Sequence, residues 1–139
     1  MTGAKMSVVP KLALDFTALA SGTLEMVLAD RIQLIPWREL ELKVRVHSHN
    51  LTGSNTITVN VYPQSWTDEE PGIQFVSSTV TASAQITAST LSPGELDVTI
   101  PTLASNAVAG MIRITAAGTR AGAGTMQAQL SIEVTGKAA

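Results

Sequence analysis

The sequence has no cysteine, so neither a disulfide framework nor a thiolate metal site can hold it together. Charge is sparse: Asp, Glu, Lys and Arg make up 14% of the residues, against about 25% in an average globular domain. The net charge of −2 leaves no basic excess, which speaks against binding the phosphate backbone of nucleic acid. Aromatic residues are few: Phe16, Trp37, Tyr62, Trp66 and Phe75. No apolar run approaches the ~20 residues that span a bilayer, so no membrane role is expected. The opening MTGAKMSVVPKLALDF lacks the sustained apolar core of a signal peptide. The lack of cysteine is compatible with assembly in a reducing cytoplasm.

What fills the composition is hydroxyl and aliphatic. Twelve Ser and 17 Thr stand among 139 residues, and 45% of the chain is hydrophobic. Thr favours strands, and the apolar share excludes disorder. A chain of this length buries about 68–70% of its unfolded surface, enough for one core without staples.

Periodicity carries most of the information. Over residues 39–47, Leu40, Leu42, Val44 and Val46 alternate with Glu39, Glu41, Lys43, Arg45 and His47, so one face is apolar and the other polar. Thr52, Gly53, Ser54 and Asn55 read as a turn, followed by a second alternating segment with Ile57, Val59 and Val61 inward. Together these read as a hairpin. Pro63 ends it. A short strand is expected at residues 73–76. Further alternation covers residues 79–87, 95–100, 108–116 and 125–135. The last of these puts Met126, Ala128, Leu130, Ile132 and Val134 inward. Residues 117–124, rich in Ala and Gly, read as a flexible hairpin loop. In the first 37 residues, a strand interrupted at Pro10, or an arm, is expected over residues 6–16. Shorter strands are expected at 23–28 and 31–35. Residues 12–28 could also be partly helical, although Ser21 and Gly22 argue against one continuous helix.

The sum is about eight strands with turn signals between them. The expected fold is all-β: an antiparallel β-sandwich, jelly-roll-like, with an immunoglobulin-type sandwich as the runner-up. Residues 1–15 are expected to form an N-terminal arm or first strand, and residues 16–137 a single sandwich domain.

Few constellations could carry chemistry. His47 and His49, two apart on a strand, can chelate a metal if a third ligand joins them. Glu39 and Glu41 lie farther along that face. The competing reading is a polar face running into a turn at Asn50. Asp68, Glu69 and Glu70 could offer oxygens to Ca²⁺ or meet a basic patch, but they lack EF-hand spacing and read as a solvated loop. There is no Gly-x-Ser-x-Gly, no privileged carboxylate pair, and no Lys-Ser/Thr after the glycines near residue 120. No enzymatic activity, cofactor or metal is therefore expected. Tyr62 and Trp66, flanking Pro63, could form a small aromatic platform for carbohydrate. Alternatively, Trp37 and Trp66 cap the ends of the sandwich. The outward strand positions are rich in Thr, Ser and Gln, a neutral surface that loses little on desolvation against another protein.

The segments WRELELKVRVHSHNLTGSNTITVNVYPQSW and AVAGMIRITAAGTRAGAGTMQAQLSIEVTGKA resemble small virion proteins of tailed bacteriophages and related phage-like particles. The resemblance covers residues 37–137. It implies a β-sandwich that decorates or cements the outside of an icosahedral head, with the major capsid protein and its own copies as partners, often as a trimer. Such a protein is located on the capsid surface of the virion and is assembled in the bacterial host cytoplasm. The contact candidates are Val8, Val9, Leu12 and Leu14 in the N-terminal arm, Asp68, Glu69 and Glu70 in one loop, and Arg120 in another. A carbohydrate- or receptor-binding module, or another virion part such as a tail or connector subunit, is the alternative.

Overall fold

The computed structural model describes residues 4–33, 37–66, 74–76, 82–100 and 111–138. It is all-β. Among the described residues, nine strands form: β1 (Ala4–Asp15), β2 (Gly22–Gln33), β3 (Trp37–His49), β4 (Thr56–Trp66), β5 (Gln74–Val76), β6 (Ala82–Ile86), β7 (Gly94–Ile100), β8 (Met111–Arg120) and β9 (Gln127–Ala138). They form two antiparallel sheets. The first has the order β1-β9-β3-β7, and the second runs β2-β8-β4, with β5 and β6 sharing the far edge of β4. This is an antiparallel sandwich of jelly-roll character, since most consecutive strands change sheet.

The alternation in the sequence becomes the core. Leu40, Leu42, Val44 and Val46 of β3 and Leu130, Ile132 and Val134 of β9 are buried from one sheet. Ile57, Val59 and Val61 of β4, Ile86 of β6, and Ile112 and Ile114 of β8 are buried from the other. Each fully buried aliphatic side chain contributes roughly 1.5–3 kcal/mol relative to exposure.

Two expected hairpins are absent. β3 pairs with β9 and β7, whereas β4 pairs with β8, β6 and β5. The segment between them is an arch from sheet to sheet, pinned over the end of the core by buried Leu51 and Asn55. Likewise β8 and β9 lie in different sheets, and their connection is residues 121–126 rather than 117–124. Alternation assigns a face to each residue but does not choose a strand's neighbours, and both hydrogen-bonding edges of β3 are already occupied. Gly53, at φ +59°, permits the tight turn within the arch that links β3 to β4.

Of the arm or first strand expected at the N-terminus, the described residues form a strand. Residues 4–15 form an edge strand on β9, with register shifts on either side of Val9, next to Pro10. A proline without an N–H is tolerated at such an edge. The second segment, expected as two short strands, is one strand, β2, with irregularities after Val27 and Ala29.

Candidate interaction surface

At one end of the sandwich, the connections 16–21, 50–55, 87–93 and 121–126 are stitched together by side chains. Asn55 is fully buried. Its Oδ1 accepts from Ala121 N at 2.8 Å and Gly122 N at 3.0 Å, and its Nδ2 donates to Ala123 O at 3.4 Å. Asn50 pairs with Gln127 through both side chain and backbone. Arg120 donates to the carbonyls of Leu19, Thr17, Gly122 and Gly124. Four of its five N–H donors are thereby used within the chain, so Arg120 clamps two loops together. Arg120→Lys keeps the charge but loses the planar fork that spans both loops. A fall of about 1–2 kcal/mol in stability is expected by urea titration, and an unchanged midpoint would remove the clamp.

Other expected contact positions contribute to the core. Val9 and Leu14 are 2% and 3% exposed, and Val8 and Leu12 pack partly buried against the same core. The register shifts on either side of Val9 bring Val9 and Leu14, an odd and an even position, to the core side alike. Asp68, Glu69, Glu70 and the side chains of Trp37 and Trp66 lie outside the described residues. The two imidazoles make separate bonds. His47 Nε2 meets Ser131 Oγ at 2.9 Å. His49 Nδ1 accepts from Leu51 N, which leaves Nε2 to donate to Thr90 O at 2.6 Å. Among the described residues, no group of three His, Asp or Glu side chains could hold a metal ion, and no helix is long and apolar enough to cross a membrane.

The two outer faces differ. That of the β1-β9-β3-β7 sheet carries a ladder of charges. Lys5 pairs with Glu133, Glu133 with Arg45, Arg45 and Lys43 with Glu95, and Lys43 also with Asp97. The expectation of a charge-poor surface fails here, because opposite charges lie on adjacent strands and pair across them. It holds for the other sheet. There the outer face presents Thr56, Thr58, Asn60 and Tyr62 of β4, Ser83 and Gln85 of β6, and Thr119 of β8, while Thr115 and Ala117 of β8 on the same side are buried.

Two acidic groups on this face are paired within the chain. Arg113 pairs with Asp30 at 3.0 Å. Glu25 Oε2 accepts from Thr115 Oγ1 at 2.6 Å, Tyr62 OH at 2.7 Å and Asn60 Nδ2 at 3.3 Å. Tyr62 thus spends its hydroxyl on an internal contact. The bonds from Thr115 and Tyr62 hold the Glu25 carboxyl below the usual carboxylate range. Burial first, and the Glu25 bond second, push the Tyr62 phenol up. Asp15 is likewise lowered by bonds from Thr17 and Gln127. Both carboxyl groups are lowered on folding, so their stabilisation is present above the unfolded carboxylate range. It is lost as pH falls through that range and below it. The melting temperature is expected to drop between about pH 5 and pH 3, and Glu25→Gln should flatten part of that slope. An identical slope in the variant would contradict the assignment.

No protein-family model matches the chain, and no curated protein is similar to it in sequence. Solved structures do match. A chain in the structure of infectious bursal disease virus, Gt strain, superposes over 96% of this chain with a TM-score of 0.51 at 13% identity. The likeness is one of fold. This chain spans about a third of the length of the viral chain, 32%. The Gx strain gives a TM-score of 0.50 at 11% identity, covering 96% of this chain and 32% of that one. A family 30 carbohydrate-binding module matches 92% of this chain and 76% of its own, at 13% identity and a TM-score of 0.45.

Proposed function

We propose that this protein is a structural virion component, a decoration or cement subunit on the outer surface of an icosahedral phage head. It would act by binding and not by catalysis, with the major capsid protein as partner, and would need no cofactor. It would be made in the bacterial host cytoplasm, and copies would be held together as a homo-oligomer, for which the sequence resemblance favours a trimer. The observation that supports this reading is the neutral outer face of the β2-β8-β4 sheet. Hydroxyls and amides cover it, its two carboxylates are internally paired, and its backbone is fixed by the sandwich behind it. Such a face loses little on desolvation and keeps its shape when bound. The fold shared with a viral chain is in keeping with it.

The test is co-sedimentation with purified heads from the same source. The native chain should saturate the particle. Thr58→Arg, in the middle of the neutral face, should weaken binding at least about tenfold. Gln129→Arg, on the opposite charged face, should bind as the native chain does. Equal effects of the two variants, no binding to heads, or specific retention on a glycan array would overturn the proposal. Deleting residues 1–15 is not a test of contact, because it removes a core strand.

A further inference from the structure

The four edges of the two sheets are not equally protected. β1 carries exposed Lys5, Pro10 and Lys11, with two register shifts. β7 carries Glu95 and Asp97, which pair back to β3. β5 and β6 are only 3 and 5 residues long. Charge, proline, bulges and brevity are the usual devices that stop an edge from pairing with another chain. β2 lacks them over residues 22–27, where it pairs regularly with β8 on one side and with no described strand on the other. Here Leu24 is 53% exposed, Met26 44% and Val27 52%, three of the four exposed large hydrophobic residues of the described chain. The one charge in the stretch, Glu25, is folded away over β8 and accepts three hydrogen bonds.

We infer that residues 22–27 of β2 pair antiparallel with the same residues of a second copy, joining the two β2-β8-β4 sheets across a two-fold axis. The exposed chemistry fits this occupant. A two-fold perpendicular to the sheet puts each face against its own kind, so Leu24 and Met26 meet Leu24 and Met26 on one side, and Thr23 and Val27 meet on the other. It also brings the two copies of Glu25 near the axis. That arrangement is tolerable because each carboxylate is held by donors of its own chain and turned from the edge. A strand partner would further satisfy the free N–H and C=O groups of β2, which no flat apolar ligand would do.

The contact is small. Six residues at ~3.4 Å, on a sheet about 10 Å thick, give an area on the order of 200 Å² per copy, well under the ~800 Å² of a standard interface. The pair is therefore weak in dilute solution and concentration-dependent, and it strengthens where many copies are held close. It is isologous and closes on itself, so it is separate from any three-fold seat on a particle.

The chain's lack of cysteine makes the test direct. Leu24→Cys, Met26→Cys and, as a control of comparable or greater exposure, Leu91→Cys (78% exposed) are each placed in the full chain. Residues opposite one another in antiparallel strands have Cα atoms ~4.5–5.5 Å apart, within the range a disulfide spans. Under mild oxidation, the Leu24→Cys chain, the Met26→Cys chain or their mixture should form a disulfide dimer at least about tenfold faster than the Leu91→Cys chain. Whichever does so fixes the register. Adding Val27→Lys should remove that advantage, with the circular dichroism spectrum unchanged. No advantage over Leu91→Cys, or sedimentation as a monomer up to millimolar concentration, overturns the pairing. So does a chain that stays monomeric while Val27→Lys abolishes its binding to heads, since the edge would then serve a strand of another protein. The experiment on the isolated chain stands or falls without the virion reading.

Discussion

Asn55→Ala is expected to lower stability by about 3 kcal/mol, and the melting temperature by roughly 10 °C, although Asn55 belongs to no strand. Its Oδ1 is the acceptor for two consecutive amides, Ala121 N and Gly122 N, and its Nδ2 reaches Ala123 O. Alanine removes all three bonds at a position with no solvent exposure. A buried amide left unsatisfied costs about 1–3 kcal/mol, whereas an ordinary exposed hydrogen bond contributes only about 1. The mechanism can be separated from simple loss of packing. Asn55→Asp retains the acceptor for both amides but loses the donor and buries a charge. It should therefore be destabilised as well, and more so above neutral pH than at pH 4, where protonation restores a neutral group. Asn55→Ala should show no such pH dependence beyond that of the native chain. Urea denaturation at the two pH values reads both; a change under 1 kcal/mol for Asn55→Ala would mean that water replaces the side chain.

Gly118→Val is expected to cost about 3 kcal/mol by overpacking, and Phe16→Ala to relieve part of that cost. Gly118 lies within β8, between Leu24 of β2 and Ile57 of β4. The ring of Phe16, itself 3% exposed, rests directly on it, and a Cβ there would overlap the ring at Cγ, Cδ1 and Cδ2. Phe16 has little freedom to yield, because its backbone N is bonded to Met126 O at 2.8 Å and its side chain closes the end of the core. The double variant gives the decisive measurement. Phe16→Ala alone opens a cavity and costs roughly 3–5 kcal/mol. In combination, Gly118→Val fills part of that space, so the sum should fall short of additivity by at least about 1 kcal/mol. Additive effects would show that β8 tolerates the side chain and that the glycine has no steric role.

These two residues show where sequence reading reaches and where it stops. Asn55 is legible as the last residue of a Thr-Gly-Ser-Asn turn, but its bonds run to residues 66–68 positions away. Nothing local in the sequence identifies such partners. Gly118 reads as part of a flexible Ala/Gly tip. The usable signal is the pattern TAAGT, with small residues at alternating positions before an Arg, which marks close approach as well as looseness. Arg120 stands out as a charge beside glycines. Only the fold shows that it faces carbonyls of two loops. Glu25 is a lone acid in an apolar stretch. Its three donors come from β4 and β8, at positions 35 to 90 residues distant.

The amino-acid sequence by itself determines which residues of β3, β4, β6, β8 and β9 face the core, and hence the all-β sandwich class. A period of two is a local property, and burying the wrong face would expose every aliphatic residue of a strand at once. The tertiary structure alone decides which strands are neighbours, turning the expected hairpins into arches between sheets. Strands of similar alternation offer nearly equal pairing energies, so the choice falls to contacts made far along the chain. Loop ends held by Asn55 and Arg120, the seat of Phe16 on Gly118, and the closure of one core by two sheets make that choice. The same long-range assembly leaves β2 at an edge with its charge bonded across β8, a circumstance no stretch of sequence announces.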